Sequence, residues 1–411
     1  MFHKTPPARV FYGWWVVIAG VVIYATLLGS YQAFGVFFKP IQSEFGWSRA
    51  ITATAFFIGT ITMAVLAPIV GHLSDRYGPR LIITAVGISG TIGYSLVSQV
   101  QTQWQLYACF VLMGSGGAFF VPLLAVVSRW FTLRRGLALG LTGMGGGIGQ
   151  ALFSPLAQIL IDNVGWRHAY LILAGIMVVV VISAAQILRS SPKEIGLLPY
   201  GERGNGDVKV SGNRPASAPA LKLSQVIHNK VFWMILLATG TGHLTYQMIW
   251  VHLVPYVTDP GIGVSSMVGA GLMSVIGWSN VAGKLFMGGL SDRIGPRATL
   301  IICYGVSGVA MLWLMVAKAL WMLYLFSFVL GFFYGGGIPL QPALVGTIFG
   351  LSSLGAVAGG VQSGTSAGGA IGSVLGGWIY DVTGSYYYAF LVGVILFFTS
   401  MTLVALVRKP K

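Results

Sequence analysis

Charge is what this sequence has least of. Asp, Glu, Lys and Arg make up 8% of its 411 residues, and only nine residues are acidic. So little charge cannot solvate a soluble chain of this length, which excludes an ordinary water-exposed globular protein. The acidic residues are also absent from the middles of the apolar runs. Glu44, Asp75, Asp162, Asp259, Asp292 and Asp381 sit at the ends of runs or in connections, and the other three lie in one polar central segment. A carboxylate-based proton or sodium site at the membrane midplane is thereby excluded. Cysteine is scarce too. Cys109 and Cys303 fall in separate apolar runs with no spacing for a metal or a redox pair, so both read as packing residues. The chain has no H-E-x-x-H and no phosphate-cradling loop, and its Gly-x-Gly strings lie inside apolar runs where small-residue packing accounts for them. No enzyme, cofactor or metal is expected. The opening MFHKTPPARV is short and polar and runs into the first apolar run, so no cleavable signal is expected either.

Apolar residues fill the space left by charge: 55% of the chain is AVILMFWYC and its mean hydropathy is +0.81. Runs of about 20 apolar residues recur throughout, each long enough to cross about 30 Å of hydrocarbon as a helix. Twelve are expected, near 14–37, 50–72, 81–100, 104–128, 136–161, 168–188, 231–256, 265–290, 298–317, 320–346, 352–378 and 384–407. The formal charge of +15 could suggest a nucleic-acid partner, but its distribution argues for membrane topology. Basic residues crowd the segments that share a side with both chain ends, whereas the opposite connections hold only Lys39, Arg49, Arg167 and Lys318. Both termini are expected in the cytoplasm, with the bilayer as partner and no nucleic acid.

The chain repeats itself. GHLSDRYGPR at Gly71 to Arg80 returns as GGLSDRIGPR at Gly288 to Arg297, an offset of 217. Val111-Leu112 matches Val329-Leu330, and Asp162 with Gly165 matches Asp381 with Gly384, at nearly the same offset. This reads as a duplicated unit of six spans, with domains at 1–189 and 231–411. The segment 190–230 between them, containing GERGNGDVKVSGNRPASAPA, reads as a cytoplasmic linker. In both units the fourth and fifth spans are glycine-rich. Stripes such as Gly136, Gly140, Gly145, Gly149 and Gly360, Gly364, Gly368, Gly372 let backbones approach, equally for static packing or for surfaces that slide.

Lys284 is the one Lys or Arg inside a run of spanning length, and an ammonium there is costly enough to mark a substrate or ion path. With no resident counter-ion in sequence reach, it wants an anion, and a small carboxylate would complete the pair. Snorkelling to the inner interface is the competing reading. Asn280, one turn earlier, shares its face. His252 is the leading proton candidate, because imidazole titrates near neutrality and Pro255 just beyond would loosen the helix; His243, about half a turn round, ranks second. A structural role competes for each. Leu28, Phe119, Phe120 and Tyr334 lie in central helices and are candidate pocket walls, with ordinary packing as the alternative.

Twelve spans in two repeats, with the GHLSDRYGPR loop and its copy, resemble the major facilitator superfamily. Tyr12-Gly13-Trp14-Trp15-Val16-Val17 and the stretch from Arg129 to Gly140 (RWFTLRRGLALG), with Gly165-Trp166-Arg167 following, are similar to the monocarboxylate transporter family; bacterial oxalate and formate exchangers are relatives. The resemblance implies an all-α membrane protein of two pseudo-symmetric six-helix bundles. It implies a conformational clasp at Asp75, Arg76 and Arg80 and at Asp292, Arg293 and Arg297. It places Lys284 where the family has a substrate-binding arginine. Asn280 replaces an aspartate of the animal members, and Gln32 a proton-accepting lysine, so their proton relay does not carry over. The expected function is secondary active transport of small monocarboxylates of the lactate or pyruvate kind, proton-coupled, in a bacterial inner membrane. Lys284, Asn280, Gln32, Leu28, Phe119 and Tyr334 would bind the substrate. Organic-anion exchange is the alternative, and a non-transporting carboxylate receptor a more distant one.

Overall fold

The structure, a computed structural model, describes residues 11–202, 226–350 and 354–407. Most of the linker expected at 190–230, and the basic residues Lys4, Arg9, Arg408, Lys409 and Lys411, lie outside the described residues. Thirteen α-helices are described. The first crossing is α1 (Tyr12–Gln32) and α2 (Phe34–Phe45), interrupted at Ala33. Then come α3 (Arg49–Tyr77) and α4 (Pro79–Val97), and a fourth crossing made of α5 (Gln103–Gly117) and α6 (Phe120–Trp130). The long α7 (Arg135–Ala185) completes the first half. The second half holds α8 (Lys230–Thr258), α9 (Ser266–Ile294), α10 (Pro296–Val316), α11 (Leu320–Phe349), α12 (Leu354–Thr383) and α13 (Tyr387–Leu406). Among the described residues the one strand-like contact is an isolated bridge from Phe131 to Tyr200.

Eight of these segments are long and apolar enough to cross a membrane by length and composition. The longest, α7, is two crossings. Gly165 breaks it at φ 77° and ψ 160°, a backbone region that side chains disfavour, and the chain reverses there. Gly384, at φ 69°, makes the matching turn between α12 and α13. The helices α8, α9 and α12 have 29, 29 and 30 residues, about 44 Å of helix each, but are less apolar, α9 and α12 through Gly and Ser and α8 through His243, Gln247 and His252. Each packs on several neighbouring helices, which covers its polar positions, while residues such as Leu237, Phe286 and Trp378 face outward. With these three and the reversal of α7 there are twelve crossings, close to the expected runs; the first extends to Phe45 rather than 37.

Within each half the same glycine device recurs. A Cβ on Gly29 of α1 or Gly149 of α7 would collide with the other helix's backbone, and Gly368 and Gly372 of α12 meet Gly240 and Leu244 of α8 in the same way. Close backbone approach substitutes for the hydrophobic drive that lipid cannot supply. These stripe glycines, Gly145 and Gly364 included, pack inside one half. The halves meet through α3 with α12, α9 with the first leg of α7, and α2 with α8.

Candidate functional site

We call the face where the described chain starts and ends proximal, and the other distal. Distally, the halves are tied by charge. Asp259 at the end of α8 accepts from Lys39 Nζ and Arg49 Nη2, both at 2.8 Å. Asp381 of α12 caps the start of α3, taking the amides of Arg49 (2.9 Å) and Ala50 (2.8 Å), where the helix dipole favours a carboxylate. The Arg49 guanidinium lies 3.5 Å from the Tyr380 ring centroid. Phe38 of α2 adds an edge contact to the His252 ring, with centroids 5.3 Å apart.

Toward the proximal face α7 and α9 separate. Gly136, Gly140, Gly143, Gly147 and Ala151 share one face of α7 by helical spacing; Gly277, Lys284 and Gly288 share one face of α9. At Gly147 these faces touch: a methyl there would lie 2.8 Å from Gly277 O and 3.0 Å from Asn280 Oδ1. One turn distal, Ser274 Oγ donates to Ala151 O at 2.7 Å. Proximally, a methyl on Gly143, Gly140, Gly136 or Gly288 would find nothing within 4 Å. Two surfaces that touch above and gape below form a wedge. Lys284 stands at its apex, and its Nζ crosses to the other half to donate to Gly143 O at 2.7 Å. That carbonyl lies about 12 Å inside α7, so the amine does not reach for the proximal interface. Among the described residues no hydrogen bond or ion pair joins the halves proximal to it.

A carbonyl dipole is a poor substitute for water or a counter-ion around an ammonium. The polar groups nearby are also incomplete. Asn280 is 3% exposed with its Oδ1 unpartnered, and Gln32 Oε1 is buried without a partner. Leu28 reaches α7, its Cδ2 3.1 Å from where a Gly146 methyl would stand. Lys284, Asn280 and Leu28 therefore meet α7 within about one turn of one another, at Gly143, Gly147 and Gly146, and Gln32 stands one turn distal to Leu28 on α1. Phe119 is 1% exposed and packs against Tyr24, with centroids 5.5 Å apart; Tyr24 also touches Gly146. Tyr334 belongs to an aromatic cluster in the second half, 4.5 Å from Tyr246 and 4.7 Å from Trp250 between centroids, beside a small cavity of about 10 Å³.

The histidines separate as helical geometry expects. His243 borders that cavity and lies 6.0 Å from Tyr334 between ring centroids. His252 is fully buried, with Tyr386 OH 2.9 Å from Nδ1 and Ser373 O 2.8 Å from Nε2. A neutral ring that donates from Nε2 and accepts at Nδ1 satisfies both contacts. Pro255 does not open the helix, which runs on to Thr258, and His252 belongs to the distal seal rather than to the wedge.

The repeated loops differ. Asp75 accepts from Arg129 Nη2 at 2.5 Å, linking the ends of α3 and α6; Arg76 lies 5.2 Å from the Tyr77 ring centroid. Arg80 donates to Gln186 at the end of α7, and Arg297 to the last carbonyls of α13, Val404 (3.3 Å) and Ala405. Cations at helix C-termini are favourable, so these two are true counterparts. Asp292 and Arg293 have no ion pair among the described residues. Sequence reasoning missed the distal cluster, and it missed Gln150 and Trp250, both buried with unpartnered nitrogens. The signal for the cluster was present: Lys39 and Arg49 share the expected outer side with Asp259 and Asp381.

The major facilitator superfamily profile matches residues 20–285 and 262–411. Monocarboxylate transporter 13 of Rattus norvegicus is 31% identical over 396 residues, 95% of this chain and 88% of that protein. Monocarboxylate transporter 12 of Xenopus laevis is 29% identical over 423 residues, 98% of this chain and 90% of its own length. Among solved structures, an inward-facing, unoccupied bacterial homologue of the human lysosomal transporter Spinster superposes with a TM-score of 0.71 at 16% identity, over 98% of this chain and 95% of that one. The likeness to that structure is one of fold. The relatives are membrane transporters and not enzymes, and this multi-pass chain belongs to the major facilitator superfamily, within its monocarboxylate transporter family.

Proposed function

We propose that the chain moves small monocarboxylates of the lactate or pyruvate kind by alternating access. In this reading two bundles, 1–189 and 231–411, joined by a cytoplasmic linker at 190–230, rock about a central site in a bacterial inner membrane, with the proximal face cytoplasmic and the wedge open inward. The observation that carries it is the Lys284 amine, held at the apex by a neutral carbonyl of the opposite half. A carboxylate entering the wedge would replace Gly143 O as the partner of Lys284 and form the missing ion pair. Asn280 and Gln32 would orient it, with Leu28, Phe119 and Tyr334 as walls. Binding would then draw α9 and α7 together at the level where they now part, closing the wedge around the cargo.

A proton would travel with the anion, through His252 or His243. His252 links this step to the distal seal, since it contacts Tyr386 and Phe38, and Tyr386 lies beside Arg49. A second reading, anion exchange, is favoured by the position of the acids: those described lie at the ends of the crossings or, for Glu194 and Glu202, beyond them, leaving no carboxylate to shuttle a proton at the apex.

Purified protein in liposomes tests both. Accumulation of labelled lactate driven by an inward acid gradient supports symport, uptake requiring internal anion supports exchange, and binding without uptake supports a receptor. Lys284→Ala is expected to cut uptake about a hundredfold or more, because it removes a desolvated charge from its partner, and Lys284→Arg to keep part of it. Normal uptake by the Ala variant would refute the site.

A further inference from the structure

Three helices, α1, α7 and α9, carry side-chain amides with an unpartnered buried atom: Gln32 Oε1, Gln150 Nε2 and Asn280 Oδ1. Gln150 is 1% exposed, its Nε2 is shielded from solvent, and neither amide atom has a hydrogen-bond partner among the described residues. A buried donor is therefore left free in this structure. Its place follows from the contacts around it. Gly146 and Gly149 meet Leu28, Ala25 and Gly29 of α1, while Gly147 and Ala151 meet Gly277, Asn280 and Ser274 of α9. Gln150 lies between these contacts in height, about 40° round the helix from Gly146 and about 60° from Gly147. That direction is the gap between α1 and α9, which Leu28 and Asn280 border and Gln32 reaches one turn beyond Leu28.

A bare amide buried between transmembrane helices is unfavourable, and an apolar residue would pack there without that cost. We propose that Gln150 is a specificity-determining residue that donates to the 2-oxygen of a 2-hydroxy or 2-oxo monocarboxylate whose carboxylate is held by Lys284. Register supports it. The Lys284 amine sits at Gly143, about 10 Å along the α7 axis from Gln150, and a helical side chain leans back toward its N-terminus. What remains suits a carboxylate, its neighbouring 2-oxygen and a hydrogen bond at each end. A free amide suits both substrate forms, since its N–H donates equally to a hydroxyl or a keto oxygen. Acids of the same carbon skeleton without that oxygen leave the amide unpaired and bind more weakly.

This rests on the carboxylate reading of Lys284, and the test separates the two. Uptake of labelled lactate, pyruvate and propionate is measured in liposomes holding the purified full chain. The wild type is expected to show a KM about tenfold lower for lactate and pyruvate than for propionate. Gln150→Leu is expected to raise the first two to the propionate value and leave propionate unchanged, so propionate uptake reports folding. Equal shifts for all three acids, or no wild-type preference, overturn the role of Gln150 while the Lys284 site stands. Uptake of none of the three by the wild type overturns the carboxylate reading and this one with it. If the Leu variant loses all uptake, Gln150→Asn decides: reduced discrimination with propionate intact supports the role, full discrimination overturns it.

Discussion

The two faces of the bundle are held by different kinds of contact. On the distal face charge crosses between the halves: Lys39 and Arg49 from one, Asp259 and Asp381 from the other. On the proximal face charge stays at home, where Asp75 pairs with Arg129 of its own half, Arg80 donates to the Gln186 side chain of its half and Arg297 to helix-end carbonyls of its own. An inter-half contact opposes separation of the halves, whereas an intra-half contact only stiffens one of them. The difference explains why this conformation is shut distally and parted proximally, and it locates the interactions that a transport cycle must break first.

The comparison is broken most sharply at Arg49. Its side chain is 7% exposed, pairs with Asp259 and stacks on Tyr380, so Arg49→Ala removes an ion pair and a ring contact and leaves Asp259 to Lys39 alone. Losing one partner of a largely buried pair costs about 3 kcal/mol, which exceeds tenfold in a two-state equilibrium. Val36 lies one turn before Lys39 and is 2% exposed. A cysteine placed there should react with a membrane-impermeant maleimide at least about tenfold faster in the Arg49→Ala background. Cys109 and Cys303 are buried and contribute little background. An unchanged rate would mean that the charge cluster does not hold the distal face.

Much of this was readable from sequence, for physical reasons. Spanning length and apolarity locate helices without tertiary information, so the crossings fall near the expected runs; α8, α9 and α12 are less apolar and each packs on several other helices. Lys284 was legible because an ammonium within an apolar run is rare at any register. Gln150 was not: one polar residue in GGGIGQALF carries no charge penalty, and its importance depends on which of two helices its face meets. The distal cluster escaped for a similar reason. Lys39, Arg49, Asp259 and Asp381 each look like ordinary helix-end charges, and only the approach of α2 and α3 to α8 and α12 makes them one device. His252 shows the converse, since its residue type suggested titration, but only the fold shows that both ring nitrogens are hydrogen-bonded within the distal seal.

A smaller effect is expected from Asp75→Asn. The pair with Arg129 is short but its side chains are 61% and 42% exposed, so solvent screens it and its loss should change transport rates by no more than about fivefold. The change should appear in the rate of interconversion more than in KM, because the pair touches no part of the cleft.

The smallest belongs to the second copy of the same loop. Asp292 repeats Asp75 in sequence, but the position matching Arg129 at the offset of 218 that relates Val111 to Val329 is Thr347, whose hydroxyl turns back to Ala343 O at 2.9 Å. With no arginine opposite, Asp292→Asn removes no ion pair among the described residues, and transport should stay within about twofold of wild type. Measuring both aspartate variants in one liposome assay compares a paired and an unpaired copy of one motif. If the two lose activity equally, pairing with α6 is not what the first copy contributes, and Asp292 must find its partner in a conformation where the proximal faces have closed.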